Sequence, residues 1–117
     1  MAMQYFEQAI KAELPSMNKP GSNAFLDDIV ASKDEEKMIV SGFFRMEKSE
    51  IPLEYYYHYH EMKIIVSGEL LISDETGKQV HARVGDVFYF EKGSTITFQS
   101  PSVGVGFFCG QRVEGDA

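Results

Sequence analysis

The stretches 61–68 (EMKIIVSG) and 85–93 (GDVFYFEKG) decide the fold of this chain. Each contains an apolar run of the length of a short β-strand, and glycine stands at one or both ends. Gly68 and Gly85 lie where tight turns need a residue that tolerates positive φ. The two stretches therefore predict short strands joined by tight turns.

The residues around these stretches extend the β pattern. From Met38 to Glu47 the even-numbered positions carry no polar side chain, whereas the odd-numbered positions are mixed. This alternation is typical of a strand with one face buried and the other partly covered. Short strands at regular spacing, separated by turn signals such as Ser67-Gly68 and Lys92-Gly93, predict an all-β barrel or sandwich. The further strand-like stretches are LEYYYHY, MKIIVS, ELLISD, KQVHA, VFYFE, TITFQS and VGFFCG.

The first third of the chain is less regular. Apolar residues at helical spacing predict a short amphipathic helix over residues 3–14, which Pro15 and Pro20 then end. Residues 23–30 (NAFLDDIV) fit either a strand or a turn of helix. We therefore predict an N-terminal helix and arm over residues 1–35, packed on a barrel domain formed by residues 36–117.

Composition narrows the class of protein. A chain of 117 residues is long enough for one domain. Its net charge is −7 and its sequence has no basic patch, so nucleic acid is not an expected partner. The longest uncharged apolar run, 103–110, is too short to span a membrane, and the N-terminus lacks the apolar core of a signal peptide. The single cysteine, Cys109, excludes an internal disulfide. These features predict a cytoplasmic protein.

The two glycine-framed stretches resemble the signature motifs of the cupin superfamily. The sequences MIVSGFFRMEK and GSTITFQSP resemble more closely the small ethanolamine-utilisation (EutQ-like) cupins, and the resemblance covers residues 36–112. It implies an antiparallel β-barrel, or jelly roll, of the RmlC-like type, whose mouth holds a ligand or a metal. EutQ-like cupins are linked with ethanolamine utilisation and an acetate-kinase-like activity, but no phosphate-binding loop is recognisable in this sequence.

The cupin metal motif is largely replaced. In the family, HxH precedes the motif glutamate, and the second motif ends in histidine. Glu61 falls on the glutamate, whereas Tyr55 and Tyr57 fall on the two histidines when three residues separate them from Glu61. With a four-residue spacer the positions are Glu54 and Tyr56 instead. The last ligand position is Ile96, which cannot coordinate a metal, so the resemblance implies one ligand of four.

A shifted metal site remains an alternative. His58 and His60 lie three residues late for the motif, and a bulge that reset the register could bring both beside Glu61. Such nitrogen and oxygen ligands would accept zinc, iron or manganese. The other interpretation places both histidines at the barrel rim, with no cofactor bound.

The motif glutamate and its neighbours predict a pocket. Glu61 and Lys63 should face the interior together, either as a general acid–base couple or as a structural ion pair. Tyr55 and Tyr57 would supply aromatic walls and hydroxyl donors, or simply pack the core. We assign catalytic roles to Glu61, Lys63, Tyr57 and His60, and substrate contacts to Tyr55, Tyr57, His58, Ile96 and Phe98.

Two functions follow from this pocket. The first is a lyase, isomerase or decarboxylase acting on a carbonyl-containing metabolite, with Glu61 as acid or base. The second is a non-catalytic cupin that binds a small molecule or serves as a scaffold. In either case exposed sheet edges predict a homodimer.

Overall fold

The computed structural model describes residues 2–117; Met1, the first residue of the predicted N-terminal segment, lies outside them. Residues 2–117 form eight β-strands and one turn of 3-10 helix, η1. The elements in chain order are η1 (Ala9–Lys11), β1 (Ala24–Ala31), β2 (Val40–Glu47), β3 (Leu53–Tyr56), β4 (Glu61–Ser73), β5 (Gln79–Arg83), β6 (Val87–Phe90), β7 (Thr95–Gln99) and β8 (Val103–Gly110).

The strands form two antiparallel sheets that share β4. The first half of β4 lies between β8 and β6, so the first sheet runs β1-β2-β8-β4-β6. The second half lies between β5 and β7, so the second sheet runs β5-β4-β7-β3. Because one long strand belongs to both sheets, the sheet curls around a common interior. The predicted all-β barrel is confirmed.

The turn predicted at Ser67-Gly68 is wrong, because these residues lie inside strand β4. The stretches MKIIVS and ELLISD were expected as two strands separated at Ser67-Gly68, but they form one strand of 13 residues. The pairing with β8 shifts between Ile65 and Ser67, and Gly68 has a φ of 65°. A β-carbon on Gly68 would collide with the carbonyl oxygen of Val103. The glycine therefore permits a bulge that bends the strand from one sheet into the other.

The predicted helix over residues 3–14 is wrong: within the described residues only the single turn η1 forms. An isolated helix of this length is marginal in water unless its apolar face is buried. Phe6 and Ile10 remain about half exposed, and Gln8 before the turn adopts a left-handed conformation. Without a surface to cover, the segment does not hold helical structure.

The segment after the turn joins the barrel in extended form. Residues 23–30, left open between strand and helix, lie almost wholly in β1, which pairs along its length with β2. Ser16 forms an isolated bridge with Phe25, and the Met17 amide donates to the Ala24 carbonyl at 2.9 Å. The segment that contains Ser16 and Met17, called the arm from here on, thus runs beside β1 at the edge of the first sheet. No helix in the described residues is long and apolar enough to cross a membrane.

The core fills the space between the sheets with large apolar side chains. The rings of Phe44 and Phe98 have centroids 5.0 Å apart, and Phe90 meets Phe98 edge-on at 5.7 Å. All three are at most 3% exposed. Burying such a side chain contributes about 1.5–3 kcal/mol to stability. The barrel interior is therefore packed, and polar residues inside it stand out.

Candidate functional site

Alternate side chains from residue 55 to residue 63 point into the barrel. They are Tyr55, Tyr57, Tyr59, Glu61 and Lys63, of which the last four are buried and Tyr55 is partly buried. Residues 57–60 lie between β3 and β4 and are held by backbone hydrogen bonds at both ends. The Tyr57 amide donates to the Ser94 carbonyl, the Tyr57 carbonyl accepts from the Gly93 amide, and the His60 carbonyl accepts from the Gln111 amide. The period of two therefore continues from one strand to the next.

Two polar groups inside the barrel contact the same carboxylate oxygen of Glu61. The Tyr57 hydroxyl donates to Glu61 Oε2 at 2.6 Å, and Lys63 Nζ stands 3.6 Å from the same oxygen. Glu61 and Lys63 are each 3% exposed. The separation between ammonium and carboxylate is too long for a strong hydrogen bond, so the pair interacts mainly as charges.

Aromatic rings surround the Lys63 ammonium. Nζ lies 4.3 Å from the Phe44 centroid, 4.5 Å from that of Phe98 and 5.6 Å from that of Phe90. Burial lowers the pKa of Lys63 below its ordinary value, and the Glu61 charge only partly opposes the shift. Gly106 on β8 makes room for the lysine stem, because a β-carbon there would stand 2.8 Å from Lys63 Cδ.

The three interior tyrosines are held in their neutral form. Burial raises the pKa of Tyr57 well above its ordinary value, and the Glu61 charge adds to the shift. Burial also raises the pKa values of Tyr55 and Tyr59, whose hydroxyls are 3.0 Å apart. These side chains are therefore hydrogen-bond donors and not bases at neutral pH. The Tyr57 hydrogen is already donated to Glu61, so the O–H left for a ligand is the one that the Tyr55–Tyr59 pair does not use.

The polar cluster borders a small cavity of about 10 Å³. A cavity of that size holds about one water molecule. Three of the lining residues are partly exposed and form its outer end: Met17 from the arm, Leu26 from β1 and Tyr55 from β3. The remaining lining residues are Phe44, Leu53, Tyr57, Tyr59, Glu61, Lys63 and Phe98.

The structure divides the predicted site residues into two groups. Ile96 and Phe98 lie on β7 opposite Tyr55 and Leu53, buried beside the cluster of Glu61, Lys63 and the tyrosines, although Ile96 does not line the cavity itself. His58 and His60 lie outside the barrel. The imidazole of His58 is about half exposed and stands 3.5 Å from Asp116.

His60, predicted as catalytic, makes its contacts on the outer surface. Its Nδ1 accepts from the Lys92 amide at 3.1 Å and lies 2.9 Å from the Tyr89 hydroxyl. These partners turn the ring away from the cavity that Glu61 borders. The structure therefore does not bring either histidine together with the buried cluster.

These positions also decide whether the residues fit a divalent metal. Among residues 2–117 no three His, Cys, Asp or Glu side chains are placed to hold one ion, so His58, His60 and Glu61 do not converge. Inside the barrel, Lys63 places its own positive charge beside the Glu61 carboxylate. A second cation there would face repulsion and only one anionic ligand, so the donor set does not fit a metal.

Sequence reasoning missed several parts of the site. Tyr59 continues the alternation of Tyr55 and Tyr57, and counting that period through the turn would have found it. Met17 and Arg112 carried no local signal. Arg112 is buried beneath the Tyr59 ring and pairs with Asp28, 84 positions away, at 2.7 Å and 3.0 Å.

Comparison with known proteins agrees with the fold and the glycine-framed motifs. The family model for Ethanolamine utilisation protein EutQ matches residues 7–108. The chain belongs to the EutQ family. It is similar to a Salmonella typhimurium protein named Acetate kinase EutQ, at 32% identity over 77 residues that make up 66% of this chain and 32% of the relative. This EutQ-family chain spans about a third of the length of the curated relatives it matches.

Solved structures support the same assignment. The crystal structure of a putative ethanolamine utilization protein Q from Salmonella typhimurium superposes with a TM-score of 0.65 at 26% identity, covering 76% of this chain and 69% of that one. The Cnp3 cupin domain of Schizosaccharomyces pombe superposes with a TM-score of 0.69 at 10% identity, covering 90% and 67%. The EutQ-family chain has the cupin fold that its motifs predicted.

Proposed function

We propose that the buried cluster of Tyr57, Glu61 and Lys63 is an acid–base site for a small ligand that carries a carbonyl group. The observation behind this proposal is the pair of opposite charges, each 3% exposed, beside a cavity. A buried ion pair adds little stability compared with apolar residues of the same volume. Ionisable groups in such surroundings are more often found at functional sites.

The geometry gives each member of the cluster a role. The Tyr57 hydroxyl, kept neutral, would hold the Glu61 carboxylate in place through its hydrogen bond. The O–H that the Tyr55–Tyr59 pair leaves free would donate a hydrogen bond to the carbonyl oxygen of the ligand. Glu61 would accept a proton from the carbon next to that carbonyl and return it later. The Lys63 charge would stabilise negative charge as it develops. Proton transfer beside a carbonyl is the chemistry of isomerases, lyases and decarboxylases.

Access to the site requires movement of the outer lining. A cavity of about 10 Å³ does not hold a metabolite. Met17 lies on the arm outside the barrel wall and packs against the core. Its flexible thioether can change rotamer at low cost. We propose that Met17 covers the entrance and moves when a ligand binds.

A non-catalytic binding protein or scaffold is the second candidate. The small volume of the cavity favours a scaffold, because an interior that no ligand enters has no binding role. The kinase activity named for the longer relative is not part of either proposal, since the chain spans about a third of that relative and no phosphate-binding loop is recognisable in its sequence. Ligand binding that depends on Glu61 would exclude the scaffold.

The test is a thermal-shift and NMR titration with small aldehydes and 2-oxo acids. Wild type is compared with Glu61→Gln and with Glu54→Gln, an exposed glutamate on β3 that serves as the matched control. The acid–base site predicts binding in wild type and Glu54→Gln and its loss in Glu61→Gln. Equal responses from all three proteins, or no response from any, would favour the scaffold.

We also propose that the chain forms a homodimer through the outer face of the first sheet. Strand pairing places apolar side chains side by side there, and Met62, Val87 and Tyr89 are each more than half exposed. Ile64 and Phe107 continue the face. Five strands about 4.8 Å apart make it about 20 Å wide, which is on the scale of a small dimer interface.

A further inference from the structure

We infer that Lys63 forms a covalent imine with a small aldehyde or 2-oxo acid inside the barrel. The inference rests on the proposed function, because the ligand must first reach the cavity that Glu61 and Tyr57 border. It assigns to Lys63 a bond-forming role in place of a purely electrostatic one. It also names the substrate class, a carbonyl compound small enough to pass Met17.

The surroundings of Lys63 suit a nucleophilic amine. Lys63 lines the cavity, and its Nζ forms an ion pair with Glu61 Oε2 at 3.6 Å. The three phenylalanine rings around Nζ exclude water from the nitrogen. Lysines that act as nucleophiles toward carbonyl groups are activated in this way, by desolvation in an apolar pocket.

The space that Gly106 leaves beside the methylene chain of Lys63 helps to place the amine at the cavity. Gly106 leaves space for Lys63 Cγ and Cδ against β8. A β-carbon at that position would displace the stem. The backbone of β8 therefore contributes to the placement of Nζ.

Glu61 accepts and returns the proton that imine formation at Lys63 requires. Lys63 passes a proton to Glu61, and the nitrogen lone pair then forms the C–N bond while the carbonyl π electrons move to oxygen. A proton moves from nitrogen to that oxygen to give a carbinolamine. Glu61 returns its proton to the hydroxyl group, which leaves as water. The ammonium and the carbonyl thus become a protonated imine and one water molecule, with no oxidant or reductant.

The product would keep the charge pattern of the resting site. The protonated imine would be a cation beside the Glu61 carboxylate, as the ammonium is now. It would also withdraw electrons from the adjacent carbon of the substrate. Loss of a proton from that carbon, with formation of an enamine, is then the class of reaction that follows.

The experiment is reductive trapping of the intact chain with propanal or pyruvate and sodium cyanoborohydride at neutral pH. Peptide mass spectrometry then locates the secondary amines, with the exposed Lys78 and Lys92 as internal comparators. We expect Lys63 to be modified about ten times faster than either. The Met17→Ala variant should react faster still, because its entrance is wider.

The outcomes separate this inference from the proposed function. Modification of the surface lysines alone, while the thermal shift still depends on Glu61, would refute the imine and leave the acid–base site standing. If neither trapping nor a shift occurs, both are refuted. Because peptide mapping of wild type gives the answer, the result does not depend on whether Lys63→Met folds; where it does fold, the adduct at residue 63 must disappear.

Discussion

Replacing Glu61 by glutamine removes the carboxylate that faces the buried Lys63 ammonium and keeps the side-chain volume and an acceptor for Tyr57. At 3.6 Å, with an effective dielectric constant of about 20, the attraction between the two charges is worth about 4–5 kcal/mol. The loss in free energy of unfolding should be smaller, about 3 kcal/mol, because Lys63 can release its proton when the counter-charge is gone.

The reverse replacement, Lys63→Met, should cost about as much. It leaves the Glu61 carboxylate buried with only the Tyr57 hydroxyl to stabilise it. When Glu61→Gln and Lys63→Met are combined, no charge remains buried at this point. The double variant should therefore be close to wild type in stability, or more stable by about 1–4 kcal/mol. The two single effects are expected to be strongly non-additive.

Urea unfolding at pH 7, followed by far-UV circular dichroism, measures all four proteins. A loss of about 3 kcal/mol moves the midpoint by about 1–3 M urea for a small domain. The exposed Glu54→Gln variant is the control and should stay within about 0.5 kcal/mol of wild type. If the single variants match wild type, or if their losses simply add in the double variant, the charges at residues 61 and 63 are not coupled and the reasoning fails.

Three other parts of the molecule give further predictions. The bonds from Arg112 and the Gly115 amide to Asp28 lower the pKa of this carboxyl although burial opposes them, so their stabilisation is present above the ordinary Asp pKa near 4 and is lost as pH falls below it. Acid titration of stability should show this loss in wild type and not in Asp28→Asn. Light scattering should give twice the chain mass, and Met62→Glu should give a monomer; a monomeric wild type would contradict the dimer. Elemental analysis after incubation with zinc, iron or manganese should find no stoichiometric metal; a metal that His58→Ala and His60→Ala each remove would overturn the assigned register.

The strand pattern could be predicted because its physical basis is local. Successive side chains of a strand point to opposite faces, so apolar alternation marks the buried face wherever it occurs. The same parity placed Tyr55, Tyr57, Glu61 and Lys63 on one side, and their burial follows it. The helix over residues 3–14 failed for the opposite reason: helical spacing stabilises a helix only when the rest of the fold offers a surface to cover.

The sequence by itself determined the β class, the turns at Gly85 and Gly93 and the family, because each depends on neighbours within a few residues. Only the tertiary structure decided that β4 is one bent strand, that Met17 lines the cavity and that Arg112 lies beneath Tyr59. It also decided that the interior has room for about one water molecule. These features depend on volumes and distances between segments far apart in the chain, and no periodicity within a segment encodes them.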